Sequence, residues 1–212
     1  LSDASLADLE KDRARTADQL ARMKAIDRSQ LTGMSAINYD SVIFGLANTD
    51  EANRRFKYGP EGAGQPYVLS QLNGSYRSTP DFLGNQHVIE TKDDADAYLS
   101  RLEAYATQMD QETERTRHDV GLGMIAPDFA IDGALVQMNN LRTSPDRSPL
   151  VTQLEAKVKD KQIAGDYGAY ASKIYLQKVR PALERQIALM KEIRPRATHD
   201  AGIGGRPDGE AY

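Results

Sequence analysis

The sequence of 212 residues predicts an all-α protein, a multi-helix array of long helices. Two observations carry that expectation. Apolar residues recur at spacings of three and four behind recognisable helix caps. No stretch alternates apolar and polar residues for the length of a strand. A third observation qualifies it: one long segment, about residues 57–79, breaks all periodicity with Gly59, Pro60, Gly62, Gly64 and Pro66. Its Tyr67, Val68, Leu69, Leu72 and Tyr76 are too apolar for a linker, so it is expected to be ordered, either as a loop covering a helical core or as one wall of a binding cleft.

The first helix is expected from Ser2 to about Ala25, capped by Ser2 or Asp3, with Leu6, Leu9, Leu20 and Met23 near one stripe. The second runs from Thr32 to about Phe56. Met34, Ile37, Ser41 and Phe44 share a face that Val42, Leu46 and Ala47 widen, and Gly59-Pro60 stops it. The short connection makes the two antiparallel neighbours. Thr79-Pro80-Asp81 predicts a brief helix carrying Phe82 and Leu83, ended by Gly84-Asn85.

Thr91 and Asp94 form a capping-box pattern. Behind them Ala95, Tyr98, Leu102, Tyr105 and Met109 make a core-facing stripe, and the helix continues with little apolar content to Val120. Pro127 opens a helix with Phe129, Ile131, Ala134, Leu135, Met138 and Leu141. Ser148-Pro149 opens a short one with Leu150, Leu154 and Val158. The last helix, about Ala164–Arg194, has Tyr167, Tyr170, Ile174, Leu183, Ile187 and Met190 on its buried side. Pro181 falls inside it and should bend it. Asp208 reads as the cap of a further helix. That start, with Leu1 in place of a methionine, leads us to expect the N-terminal helical part (residues 1–212) of a larger polypeptide.

The net charge of −4 comes from 27 basic and 31 acidic residues, interspersed. No basic stripe stands out, so no nucleic-acid partner is expected. No apolar run reaches the roughly 18 residues of a membrane span. The absence of cysteine excludes disulfides and thiolate chemistry and leaves both the cytosol and an export compartment open.

Catalytic motifs are missing. His87, His118 and His199 belong to no His-Glu-x-x-His pattern. Glu114 and His118 share a helix face, which reads more simply as a surface pair than as metal ligands. His87 is expected to be a structural hydrogen-bond donor in a turn. No serine is paired with a base, and no glycine cluster follows a strand. No catalytic residue and no metal ligand is therefore assigned to this chain.

Several short motifs, in register along the chain, resemble the bacterial family called "domain of unknown function 885". They are Asn38-Tyr39-Asp40, Tyr67-Val68-Leu69-Ser70-Gln71-Leu72-Asn73-Gly74, Pro80-Asp81-Phe82-Leu83, Asp94 to Leu102, Ile125-Ala126-Pro127-Asp128-Phe129 and Pro207 to Tyr212. Members of that family resemble helical zinc peptidases of the carboxypeptidase type, and many are exported or lipid-anchored. The resemblance implies a zinc-dependent hydrolase of peptide bonds in which zinc-activated water attacks a peptide carbonyl. It also implies that the metal site, of the form His-Glu-x-x-Pro-Gly-His-His, lies in a C-terminal part that this chain lacks. The expected partners are then that C-terminal part and a peptide substrate, with zinc in the intact protein and none here. Ser70, Gln71, Asn73, Gly74 and Tyr212 are expected to face the substrate cleft. The alternative is a non-catalytic helical module that binds another protein.

Overall fold

The computed structural model describes residues 1–212. It is 70% helical and contains no strand. Helix α1 (Leu6–Lys24) and α2 (Gly33–Arg55) form an antiparallel hairpin. After the irregular segment come α3 (Ser75–Asp81), α4 (Lys92–Gly121), α5 (Asp128–Asn140) and α6 (Pro149–Asp160). The last long helix is α7 (Tyr167–Ile174) and α8 (Arg180–Ile193), joined without a break by a π-helical turn at Tyr175–Val179.

The longest helix, α4, is the axis. Thr91 accepts from the Asp94 backbone while the Asp94 carboxylate accepts from Thr91, so the capping box is complete. Ala95, Tyr98, Leu102, Tyr105 and Met109 are all 1% exposed or less, and against them lie α8, α7, α3 and α6. Full burial of each of the large side chains contributes about 1.5–3 kcal/mol before entropy is counted.

At Pro181 the helix carries a π turn. Lacking an N–H, the proline leaves the Gln177 carbonyl without its usual partner, and the chain widens so that the Arg180 N–H donates to the Tyr175 carbonyl five residues back. The extra residue shifts the phase of the helix. Ala171 and Tyr175 are buried, whereas Tyr170, expected inside, is 56% exposed and Ile174 only half-buried. Tyr175 Oη donates to the carbonyls of Leu141 and Thr143, at 2.8 and 3.0 Å.

Other expectations need correction. Ser5, not Ser2 or Asp3, caps α1, accepting from Asp8 N. The irregular segment ends at Gly74 rather than 79: helix α3 starts at Ser75, with Thr79 and Pro80 inside it. Gly84-Asn85 does not end it, because a π-helical turn carries it on from Phe82 to Gln86. There Lys157 Nζ donates to the Gly84 and His87 carbonyls at 2.7 and 3.0 Å. Asp208 caps no regular helix; it adopts φ +55° and heads a single closing turn. Much of the apolar face of α2 is left open: Met34, Ile37, Val42 and Phe44 are 67, 56, 48 and 70% exposed, while Leu46 and Ala47 are half-buried. Helix α1 runs alongside α2, whose buried residues are Ala36, Ala52 and Asn53 rather than that stripe. Phe129 of α5 is likewise exposed, edge-on to His199.

His87 closes the junction of α3 and α4. Arg101 Nη1 can only donate, so His87 Nδ1 accepts from it at 2.9 Å and Nε2–H donates to the Asp94 carbonyl at 3.0 Å. That fixes a neutral tautomer. Burial lowers the His87 pKa, and the charges of Arg101 and Lys157 add to the effect. A group with a depressed folded pKa contributes stability that is present above its unfolded value, about 6.5, and lost as pH falls through the folded one. The urea midpoint of the wild type should therefore fall more steeply below pH ~6.5 than that of His87→Gln. Parallel pH profiles for the two proteins would contradict this assignment.

Candidate functional site

The stripe that buries Tyr98, Leu102, Tyr105 and Met109 does not stop at Met109. It continues along α4 with the same three-and-four spacing but in polar residues: Glu112, Thr116 and Asp119, with Thr113 and the half-buried Arg115 beside them. Buried polar groups need partners. The two threonines bond back to carbonyls of their own helix. Arg115 and Asp119 reach the irregular segment, and Glu112 reaches the first residue of α3 just beyond it.

Asp119 Oδ2 accepts from Gly59 N at 2.9 Å, and Arg115 Nη2 donates to Gly59 O at 3.1 Å, so both polar groups of this residue are held by one helix face. Gly59 sits at φ +71°, and a side chain there would come within 2.9 Å of the Gln65 carbonyl. Glu112 holds the far end. Its carboxylate accepts from Ser75 N at 2.9 and 3.0 Å, from Ser75 Oγ at 2.6 Å and from Gln186 Nε2 at 3.3 Å. Ser75 is the first residue of α3, and Gly74 before it has no side chain to cap the helix. A carboxylate from another helix supplies the cap, at the positive end of the helix. Burial raises the pKa of both Glu112 and Asp119, against the lowering effect of their hydrogen bonds.

Between α3, the irregular segment and α4 lies a cleft of about 610 Å³. Tyr67, Val68 and Leu72 give it an apolar side, Asn73, Gly74 and Ser78 a polar one, and Arg77 and Arg115 its cations. Of the five residues expected to face a cleft, Asn73 and Gly74 line this one. Ser70 is buried, its Oγ accepting from Leu72 N and Asn73 N at 3.1 and 3.2 Å. Asn73 Nδ2 donates to Tyr67 O at 3.3 Å, so part of its bonding stays within the segment. Gln71 turns toward α5, lying against Gly133, with a buried Oε1 that has no partner. Tyr212 sits apart, stacked on Tyr58 and edge-on to Phe56, and its Oη accepts from Gly64 N at 2.8 Å. Sequence reading missed Glu112, Arg115 and Asp119. The available signal was that their spacing prolongs the apolar stripe.

The residues present do not fit a zinc ion. No three His, Cys, Asp or Glu side chains converge. His118 Nδ1 pairs with Asp119 at 3.0 Å, and Glu114 pairs with Arg117 rather than His118. His199 pairs with Asp128 at 2.8 Å.

The fold is an all-α array with a polar and apolar cleft between α3, α4 and the irregular segment. The chain belongs to the family described as "Bacterial protein of unknown function (DUF885)", which matches it over residues 1–212. No curated protein matches it. Among solved structures it is similar to the "putative lipoprotein from Colwellia psychrerythraea", with a TM-score of 0.86 at 18% identity. That match takes in 98% of this chain and 37% of the other, so the chain spans little more than a third of the larger protein. At this identity the likeness concerns the fold.

Two variants test the anchoring of the cleft. Gly74 has φ +122°, and an added Cβ would meet Tyr76 at 2.8 Å and Leu69 at 2.9 Å. Gly74→Ala should therefore cost about 1–3 kcal/mol from backbone strain alone, read as a lower urea midpoint. A carboxyl whose folded pKa is raised contributes stability that is present below its unfolded value and lost as pH rises through the folded one. The stability of the wild type relative to Glu112→Gln should accordingly decline as pH rises above about 4.5. A constant difference across that range would refute the buried-carboxylate assignment.

Proposed function

We propose that this chain forms one wall of the substrate groove of a peptidase-like hydrolase. The observation that carries this reading is the 610 Å³ cleft with one apolar and one polar side, built on a segment whose conformation is enforced by buried ion-bearing groups. A cleft of this kind suits an extended peptide. Leu72, which is 68% exposed, offers an apolar contact, and Asn73 and Ser78 offer hydrogen bonds to a peptide backbone. These groups bind and orient; none of them is placed to do chemistry. In this proposal the zinc and its ligands belong to a C-terminal part of the intact protein, and no step of the reaction is assigned to this chain. An exported, lipid-anchored location is part of the same proposal. The description of the structural relative supports it, and no helix here is long and apolar enough to cross a membrane.

A second reading, a non-catalytic protein-interaction module, is favoured by the exposed apolar face of α2 at Met34, Ile37 and Phe44. Under the first reading the same face seats the C-terminal part of the polypeptide.

Peptide hydrolysis by the full-length protein separates the two. On the groove reading the activity is abolished by chelation, and Leu72→Ala lowers kcat/KM about 5- to 10-fold, the equivalent of ~1–1.4 kcal/mol of lost apolar contact, with little change in melting temperature. Absence of hydrolysis across a varied peptide library, or an unchanged kcat/KM in Leu72→Ala, would overturn it. Under the module reading, Phe44→Ser abolishes binding of a protein partner and no hydrolysis is seen.

A further inference from the structure

The cleft carries both signs of charge in balance, Arg77 and Arg115 against Asp81 and Glu112. The four side chains form two pairs, each on one helix. Arg77 and Asp81 stand four residues apart on α3, both exposed. Glu112 and Arg115 stand three apart on α4, and the field of Asp119 also acts on Arg115. Neither sign is left over for a ligand to neutralise. A charged group entering from water would lose part of its hydration, while attraction to one member of each pair would be offset by repulsion from the other. The groups that remain open are uncharged. Gln65, on the rim, is an exposed amide with a donor and an acceptor to offer. Asn73 spends its Nδ2 on Tyr67 O, which leaves its Oδ1 to accept. Beside them Tyr67, Val68 and Leu72 make the apolar flank.

An amide side chain matches a peptide bond, donor to acceptor and acceptor to donor, whatever the sequence of the peptide. Selection among peptides then falls to what the rest of the cleft accepts. From the balanced charges and the open amides, we infer that the cleft selects uncharged peptide: Gln65 and Asn73 bond its backbone, and side chains without charge lie against Val68 and Leu72. Acidic and basic side chains are both disfavoured, because each gives up hydration and finds no net counter-charge. This selectivity rests on the groove reading and deepens it by naming the class of peptide.

Four acetylated and amidated alanine pentapeptides test it, titrated at low salt into the isotopically labelled protein and followed through its backbone and side-chain amide signals. Their central residues form two matched pairs: methionine with lysine, alike in length, and glutamine with glutamate, alike in shape. The uncharged peptides should shift the side-chain amide signals of Gln65 and Asn73, and each should bind about 5-fold or more tightly than its charged counterpart. Arg77→Gln leaves carboxylates in excess and should put the lysine peptide ahead of the glutamate peptide by about 3-fold, and Asp81→Asn should do the reverse. Gln65→Ala, at an exposed position, should weaken both uncharged peptides about 3- to 10-fold without altering the melting temperature. If either charged peptide binds as tightly as its uncharged counterpart, or if the Arg77 and Asp81 variants leave the order of lysine and glutamate peptides unmoved, the groove stands and selection by charge balance is wrong. Unchanged affinity in Gln65→Ala would overturn the bonding assigned to that amide. If no peptide shifts cleft signals, the selectivity and the groove reading fail together.

Discussion

One constraint shapes the irregular segment: α4 buries charged side chains on the face that elsewhere makes the core. Taking Glu112, Arg115 and Asp119 out of water is costly unless each finds good hydrogen bonds. Their partners come largely from the backbone of the segment, the two polar groups of Gly59 and the N–H of Ser75, joined by Ser75 Oγ, Gln186 and the exposed His118. The helix thus sets where the segment enters and where it leaves. Between those points Leu69 is driven into the core, as is Tyr76 just past the second, and the turn at Ser70–Asn73 closes on itself through paired backbone hydrogen bonds. The cleft is the space left between a helix that must satisfy its charges and a segment tied to it at both ends.

This explains what was legible in the sequence. Features fixed by near neighbours could be read directly. The capping box at Thr91 and Asp94, the Tyr98-to-Met109 stripe, Pro127 and Ser148-Pro149 as helix openings and the disruption at Pro181 all depend on residues a few positions apart. Features fixed at long range could not. The start of α3 at Ser75 depends on a carboxylate 37 residues away, while the local sequence offers the more conventional Thr79-Pro80 start. Tyr170 was misplaced because a 3.6-residue period cannot anticipate one inserted residue. In α2, periodicity correctly grouped Met34, Ile37 and Phe44 on one face but carries no information about whether anything covers that face. For the site, the motif around Ser70–Gly74 contributes Leu72, Asn73 and Gly74 to the lining of the cleft. Its polar side chains were not all aimed outward, since Ser70 and Asn73 brace the turn.

Helix α3 forms a wall of the cleft, and groups that titrate bind both its ends. At the start stands Glu112, whose pKa burial raises; at the far end stands His87, whose pKa burial lowers. In each case the fold disfavours the charged form, but the two respond oppositely to acid. Protonating Glu112 relieves a desolvated charge. Protonating His87 sets a new N–H against the Arg101 donor. Near neutral pH the far end of α3 is held by a satisfied neutral imidazole and by Lys157, while the start is held by a carboxylate that the fold accommodates at a cost. Any loosening of the cleft wall with pH therefore has two sources of opposite sign, one at each end of the same short helix.

The distribution of unmet interactions argues in the same direction. Most buried polar groups in this chain have partners, and the exceptions, such as Gln71 Oε1 and Gln186 Oε1, are single atoms. Two places where whole side chains leave interactions open stand out. One is the apolar stripe of α2, where large side chains stay in water at a hydrophobic cost of roughly 25 cal/mol per Å² of apolar surface. The other is the cleft, where an exposed Leu72 stands beside Arg77, Asp81, Glu112 and Arg115. The stripe calls for an apolar partner surface and the cleft for a polar one with an apolar flank. Because α2 runs along α1 only, while the cleft lies between α3, α4 and the irregular segment, the two can be occupied at once.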